Sequence, residues 1–299
     1  MQLTFSSLSG LSIERLNTFC RVAEFGSIKD AADADPTRQS QYSRQIKELE
    51  IALEVTLFDR SGKKWVATEH GRRLLVISRS FFEAIKTLQT DSIGAKLHLR
   101  IGSGDGLFAW YITPRLERMR PIYPRISFEC RNLRTAEIIR QLSEGEVDIG
   151  IVREDAPLEN LTLLPFTTID YSLFVPRQLL PGKSAAGIEL LRELPMAKLA
   201  GLGNLRRTTD TILQSHGIKP INVFEAGSFI LLTHAMNLLS LSGIVPSEAK
   251  HHFSDELFAK IDLEGLTGLK RKLVIAFNPE MTANNANIEF IARQLQGTT

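Results

Sequence analysis

Residues 26–71 read GSIKDAADADPTRQSQYSRQIKELEIALEVTLFDRSGKKWVATEHG, and this stretch decides the architecture of the first part of the chain. Just before it, Ile13, Leu16, Phe19, Cys20 and Ala23 fall on one face at helical spacing. Gly26 ends that helix. Ser27 is placed as the N-cap of the next, with Asp30 three residues on as an acidic variant of the capping box. Ile28, Ala31 and Ala32 make a short second helix whose small residues permit close crossing of a neighbour. Asp35-Pro36-Thr37 breaks the chain, because proline disfavours helix in the residue before it and is tolerated where a new one starts. A third helix is predicted from about Arg38 to beyond Leu49. Its Tyr42, Ile46, Leu49 and Leu53 recur at intervals of four and three and point inward.

The opposite face of that helix carries Ser40, Gln41, Arg44 and Lys47, with Arg38 and Gln39 at its leading end. Arginine can take guanine through paired hydrogen bonds and glutamine can do the same for adenine, so the face has the chemistry of base reading. A solvated face on an ordinary helix would look the same. The following segment separates the two readings. From Arg60 to Arg79 there are six basic residues (Arg60, Lys63, Lys64, Arg72, Arg73, Arg79) against one acid, Glu69. Ser61-Gly62 is a turn signal and Trp65-Val66-Ala67 a short strand, which sets Lys63 and Lys64 at the tip of a basic hairpin. Cations so placed engage phosphate and give salt-dependent affinity without sequence choice.

Phe19, Val22-Ala23-Glu24, Gly26-Ser27, Ala31-Ala32, Ser43-Arg44-Gln45-Ile46, Leu49-Glu50, Leu57-Phe58-Asp59-Arg60 and Thr68-Glu69-His70-Gly71 together resemble the winged helix-turn-helix of LysR-type transcriptional regulators. The resemblance is specific in the first seventy or so residues and architectural afterwards. The candidate DNA contacts are Ser27, Arg38, Gln39, Ser40, Gln41, Ser43, Arg44, Lys47, Arg60, Lys63 and Lys64.

Composition agrees without deciding. A chain of 299 residues implies two or more domains and ample core. Its formal net charge of +2 is small for a nucleic-acid binder, but charge is segregated. Glu24, Asp30, Asp33 and Asp35 precede the reading helix, and the cations lie on it and after it. The opening MQLTFSSLSG lacks the basic and apolar pattern of a signal peptide, and no apolar run approaches membrane-spanning length, so a cytoplasmic protein with no membrane partner is expected. Cys20 and Cys130 are read as buried small hydrophobes in separate domains.

From Glu69 to about Ser92 the chain reads as one long helix, with Leu74, Ser78, Phe81, Ile85 and Leu88 alternating by four and three as a coiled-coil seam. Leu75, Ile77 and Phe82 widen the stripe. So much apolar surface on a connecting helix implies a partner, and the resemblance implies that this helix pairs two subunits. Leu74, Phe81, Ile85 and Leu88 are the candidate dimer contacts. A two-fold dimer reads a two-part, roughly palindromic site. Ile93-Gly94 is the expected hinge.

Beyond it the pattern is α/β. Leu97 to Ile101 alternate as a strand, Gly102 to Gly106 form a glycine-rich turn, and Leu107 to Met119 read as a helix containing Pro114. Strands at 126–130 and 147–151 with a helix at 135–144 predict a parallel sheet covered on both faces. Strands at 171–175, 197–202, 222–226 and 243–246 supply a second set, and 272–277 returns late. The order resembles the two-lobed, periplasmic-binding-protein-like effector domain of the family. Expected units are 1–68 for the winged helix-turn-helix, 69–93 for the linker helix and 94–299 for the effector domain. Lobe one is about 95–164 plus 268–299, and lobe two about 165–267.

Carried over from the resemblance, the effector site comprises Ser103, Gly104, Asn132, Thr135, Gly203, Asn204 and Ser228. Backbone amides at helix N-termini favour an anion such as a carboxylate, with Arg134 or Arg206 adding charge-assisted bonds. Asp105 opposes this, which requires that it point to solvent or pair with an arginine. The chain departs from the family in having Gly104 and Gly106 where hydroxyls are usual, Leu239 and Leu241 at a turn usually rich in glycine, and Asp35, Thr37 and Tyr42 at positions usually aliphatic. Two readings stay open, an unusual ligand or partly lost ligand control.

Enzyme chemistry finds no pattern. His251-His252 are adjacent, His216 precedes Gly217, and no His-x-x-x-His, Cys-x-x-Cys or nucleophile-elbow spacing occurs. Gly102-x-Gly104-x-Gly106 lacks the dinucleotide fingerprint. No catalytic residue, metal or cofactor is assigned. A solute-binding protein would share the α/β part, but would need a secretion signal and no winged helix. The expected protein is a homodimeric, and through its effector domains tetrameric, DNA-binding regulator, with operator DNA, a small molecule and RNA polymerase as candidate partners.

Overall fold

The computed structural model describes residues 10–90, 97–180, 187–201, 204–263 and 269–297. Helix α1 (Ile13–Phe25) begins at Ser12, whose side chain accepts the Arg15 N–H, and ends at Gly26 with φ of 63°. Helix α2 (Ile28–Ala31) is capped by Ser27 as the sequence predicts. Helix α3 (Pro36–Leu53) starts two residues early, because the Asp35 carboxylate accepts the Thr37 and Arg38 amides and Pro36 occupies the first turn. Strands β1 (Phe58–Asp59) and β2 (Val66–Ala67) pair antiparallel as the wing. The core is Phe19, Val22, Ala31, Ile46, Leu49, Leu57, Phe58 and Leu75. Ile13, expected on the inner face of α1, is 59% exposed, because in that first turn it is the neighbouring Glu14 and Arg15 that reach α3.

Helix α4 (Glu69–Thr90) grows directly out of the wing. Thr68 Oγ1 accepts the Gly71 N–H at 3.0 Å and donates to the Thr56 carbonyl at 2.7 Å. A Cβ on Gly71 would lie 2.2 Å from the Leu57 carbonyl oxygen, so only glycine allows the helix to press on the base of β1. The same helix is gripped by the distal domain: Val76 is buried in its core, and Arg79 donates to Glu146 at 2.9 Å and to the Glu144 carbonyl.

Lobe one is built on a five-stranded sheet of order β4-β3-β5-β12-β6, comprising β3 (Leu97–Ser103), β4 (Ile126–Asn132), β5 (Ile149–Arg153), β6 (Thr162–Ile169) and β12 (Arg271–Phe277). β3 is parallel to β4 and β5, but β12 runs antiparallel to β5 and β6. The sheet is therefore mixed where a parallel one was expected, because β12 returns from the second lobe and enters from the opposite end. The expected lobe limit at 164/165 falls inside β6, which pairs with β12 as far as Ile169. The predicted helix at 107–119 is interrupted: a short α5 (Asp105–Leu107) passes through a π-turn at Phe108–Ile112 into α6 (Thr113–Met119). Helix α7 (Thr135–Ser143) follows β4. Cys130, expected buried, is exposed, because β4 is an edge strand and that position faces outward.

Lobe two holds an antiparallel sheet of order β10-β7-β11, comprising β7 (Tyr171–Pro176), β10 (Gly243–Pro246) and β11 (Phe258–Ile261). Beside it lies a parallel pair, β8 (Pro195–Leu199) and β9 (Ile221–Ala226), with helices α8 (Asn204–Ser215) and α9 (Phe229–Leu239). Helices α10 (Pro279–Asn284) and α11 (Ala286–Gln296) close lobe one, where Ile288, Ile291, Ala292 and Leu295 are buried.

Candidate DNA interface and effector cleft

On α3, Arg38, Ser40, Gln41, Ser43, Arg44 and Lys47 are all exposed, and Gln39 is half-buried. They are not equally free to reach a base. Arg44 is 75% exposed at its side chain and, among the described residues, pairs with Glu48 at 3.5 Å. Arg38 is drawn back by Asp33 at 3.2 Å and Asp35 at 3.8 Å. Gln41 donates to Glu14 at 3.0 Å, and Ser40 to the Pro36 carbonyl at 3.1 Å. The outward charge of the reading helix is therefore concentrated at Arg44 and Lys47. Ser27, a candidate contact, accepts the Asp30 N–H at 3.4 Å as a helix cap.

In the wing, Lys63 and Lys64 are exposed in the loop between β1 and β2. Arg60, also named as a DNA contact, donates to Glu50 at 2.6 Å and lies 4.3 Å over the Trp65 ring, while its side chain stays 42% exposed. It braces the wing. Glu50 is the residue that composition could not single out. Its Oε1 accepts the Leu57 N–H at 2.9 Å while Oε2 takes Arg60, so one carboxylate fixes the wing's starting strand to the reading helix. Gln45 was likewise missed. It is buried, accepts from Thr18 at 2.7 Å and donates to Glu14 at 2.8 Å. The only hint of either was its place in the quoted motifs.

Of the expected seam on α4, Leu74 packs against the winged-helix core and Ser78 is fully buried. Phe81 is 40% exposed, Ile85 is half-buried, and the Leu88 side chain lies outside the described residues. Because the helix is held on two sides by its own chain, the outward stripe rotates to Ile77, which is 55% exposed, and Phe81.

The carboxyl ends of β3 and β4 bring the lobe-one candidates together. Ser103 pairs in register with Asn132, and the Leu133 N–H donates to the Ser103 carbonyl at 2.9 Å. Thr135 opens α7 two residues later. Ser103 is fully buried, and its Oγ has no partner among the described residues, whereas Asn132 is exposed. Ser228 of lobe two caps α9, its hydroxyl accepting the Leu231 N–H at 3.2 Å, and so serves its own helix. Arg206 is engaged by Asp210 at 3.1 Å and Glu225 at 3.5 Å. Gly203 and the side chain of Asn204 lie outside the described residues. Asp105 is half-exposed and has no arginine partner among the described residues; its Oδ2 accepts the Ile230 N–H of α9 at 3.3 Å.

The distal domain holds cavities of two kinds among the described residues. One of about 700 Å³ opens against the strands joining the lobes and is lined by Arg153, Asp155, Asp170, Thr208, Arg271 and Lys272. The other, about 370 Å³, lies between α8 and the β8–β9 pair. Among the described residues, no group of three His, Cys, Asp or Glu is placed to hold a metal ion, and no helix is long and apolar enough to cross a membrane.

A winged helix with a basic reading face, joined by a long helix to a two-lobed α/β domain, defines a one-component DNA-binding regulator. Residues 13–72 match the bacterial regulatory helix-turn-helix model of the LysR family, and residues 94–296 match the LysR substrate-binding domain. The chain belongs to the LysR family of transcriptional regulators. It is 28% identical over 285 residues to a probable RuBisCO transcriptional regulator of Guillardia theta, covering 90% of each chain. In fold it is similar to full-length OxyR from Pseudomonas aeruginosa (TM-score 0.64, 18% identity, 97% of this chain and 96% of that one). It is also similar to CbnR in complex with its target DNA (TM-score 0.52, 18% identity, 96% and 100%).

Proposed function

We propose that this chain works as a homodimer in which α4 joins two copies and each α3 reads one half of a two-part operator. The observation that carries this is the outward pair Ile77 and Phe81 on a helix whose other sides are already packed within the chain. Exposed apolar side chains in adjoining turns of a helix gain most by meeting their like in a second copy. Arg44 reads a base, Lys47 supports it, and Lys63 and Lys64 hold phosphate. The units are the winged helix to residue 68, the linker helix to about 93, and the effector domain beyond.

Assembly to a tetramer follows from the sheet edges. β4 and β9 are edge strands, and β9 leaves Ile221 and Val223 52% and 56% exposed. Two effector domains side by side would cover such edges. The protein acts on DNA in the cytoplasm, carries no catalytic step, and meets RNA polymerase where its operator adjoins a promoter. Its cleft takes a small molecule, and a second reading, control without one, is favoured by the Asp105 bridge.

Sedimentation together with footprinting on the adjoining promoter tests this. Two protected arms on one face of the duplex, bound by a dimer or tetramer with salt-sensitive affinity, are the expected result. A monomer protecting a single arm would overturn it.

A further inference from the structure

The two lobes touch where a ligand carboxylate would dock. Helix α9 has eleven residues, and its first turn faces lobe one. Ser228 satisfies the Leu231 amide, and the neighbouring Ile230 amide is taken by Asp105 from the other lobe at 3.3 Å. A carboxylate in that position meets both an N–H donor and the positive end of the helix dipole. The contact extends beyond one bond. A Cβ on Gly106 would lie 3.2 Å from Phe229 and 2.9 Å from the Trp110 ring. Trp110 stands edge-on to Phe229 at 5.9 Å and to His252 at 5.7 Å, so an aromatic side chain of lobe one is seated between two rings of lobe two.

The same place retains unused hydrogen-bonding capacity. Ser103 Oγ and Trp110 Nε1 are both buried without a partner among the described residues, and Gly104 has open space where a side chain would be. Of the two cations named as ligand partners, Arg206 is already held by two carboxylates, and Arg134 stands exposed at the start of α7.

We infer that Asp105 is an internal occupant of the cleft's anion position: its carboxylate holds the N terminus of α9, closes the lobes without a small molecule, and bars carboxylate ligands. This rests on reading the distal domain as an effector domain. It decides what that domain accepts. The cleft of the intact chain takes a molecule without a free carboxylate, or none, and removal of Asp105 turns it into a carboxylate site.

The test uses the full-length protein, Asp105→Ala and Asp105→Asn, with sodium acetate as probe against sodium chloride at equal ionic strength. Hydrogen exchange is followed in the peptide spanning Ile230 and Leu231, and the melting temperature is read in each salt. In Asp105→Ala that peptide should exchange at least tenfold faster than in the parent, and acetate should slow it and raise the melting temperature. The parent should show no acetate-specific change. Asp105→Asn keeps an acceptor for the Ile230 N–H without the charge and should fall between them. Unchanged exchange in Asp105→Ala, or an acetate response equal in parent and variant or absent from both, would overturn the inference. Operator binding measured on the same samples separates the two readings: loss of DNA recognition by the parent would defeat the regulator while leaving the exchange result standing.

Discussion

Thr18 Oγ1 donates to Gln45 Oε1 at 2.7 Å in the buried seam between α1 and α3, and the Gln45 amide passes the link on to Glu14 at 2.8 Å. Two polar side chains thus fix the angle of the reading helix inside an otherwise apolar core. Thr18→Val should leave the Gln45 oxygen buried without a donor and cost about 1–3 kcal/mol. The melting temperature of the full chain checks this. Thr18→Val combined with Gln45→Leu should cost less than the sum of the two single changes, because neither orphan then remains.

Arg44 and Lys64 should fail differently. Arg44→Ala is expected to cost about 1–3 kcal/mol at the operator and to relax preference at one position. Lys64→Ala should weaken operator and random DNA alike and flatten the salt dependence. Titrations on both DNAs over a salt series decide it, and equal loss on both for Arg44→Ala would refute the assignment. Arg60→Ala, by contrast, should lower thermal stability, since its guanidinium is engaged by Glu50 and Trp65.

Ile77 and Phe81 form the outward stripe of α4, so Glu at both places like charges in the pairing surface. Light scattering should then show lost dimers, with operator binding reduced to weak half-site contacts. Glu at Leu74 should instead unfold the winged helix, because that side chain packs against its core.

The two thiols should separate by chemistry. Burial pushes the Cys20 thiol up to about 11 from an ordinary value near 9, and burial raises Cys130 to a smaller extent. Iodoacetamide at neutral pH should therefore label exposed Cys130 first and reach Cys20 only after unfolding. The sign of the linkage follows from the raised value. The folded chain keeps the Cys20 proton that the unfolded chain releases, so this contribution is whole below about pH 9 and is lost as pH rises toward about 11. Urea midpoints across that window should fall in the parent more steeply than in Cys20→Ser.

What the sequence disclosed depended on the range of the interaction involved. The cap at Ser27, the break at Asp35-Pro36, the wing turn and the inward row Tyr42, Ile46 and Leu49 are local matters of spacing and dihedral preference, and they were legible, whereas the role of Asp35 as the cap of α3 was not read. The reversed β12, the rotated stripe on α4 and the reach of β6 to Ile169 depend on which distant segment arrives alongside, and no periodicity encodes that. The base-reading face was legible as a face. Which of its members were already claimed by Glu14 or Asp33 was not, because those bonds join residues far apart or on separate turns. Asp105 was recognised as out of place in an anion cleft, but its partner lies 125 residues away.

Gly71 presses bare backbone onto the Leu57 carbonyl, so the wing and α4 have no play between them. Only a turn or two further on, α4 is clasped by lobe one, where Val76 enters its core, Arg79 reaches Glu146 and Ser80 meets Met281. A rod gripped by both domains within its first half acts as a crank: a swing of the distal lobe is delivered as a roll of the hairpin. In the proposed dimer, such a device would set the curvature of the duplex between the two half-sites, and occupancy need not change at all.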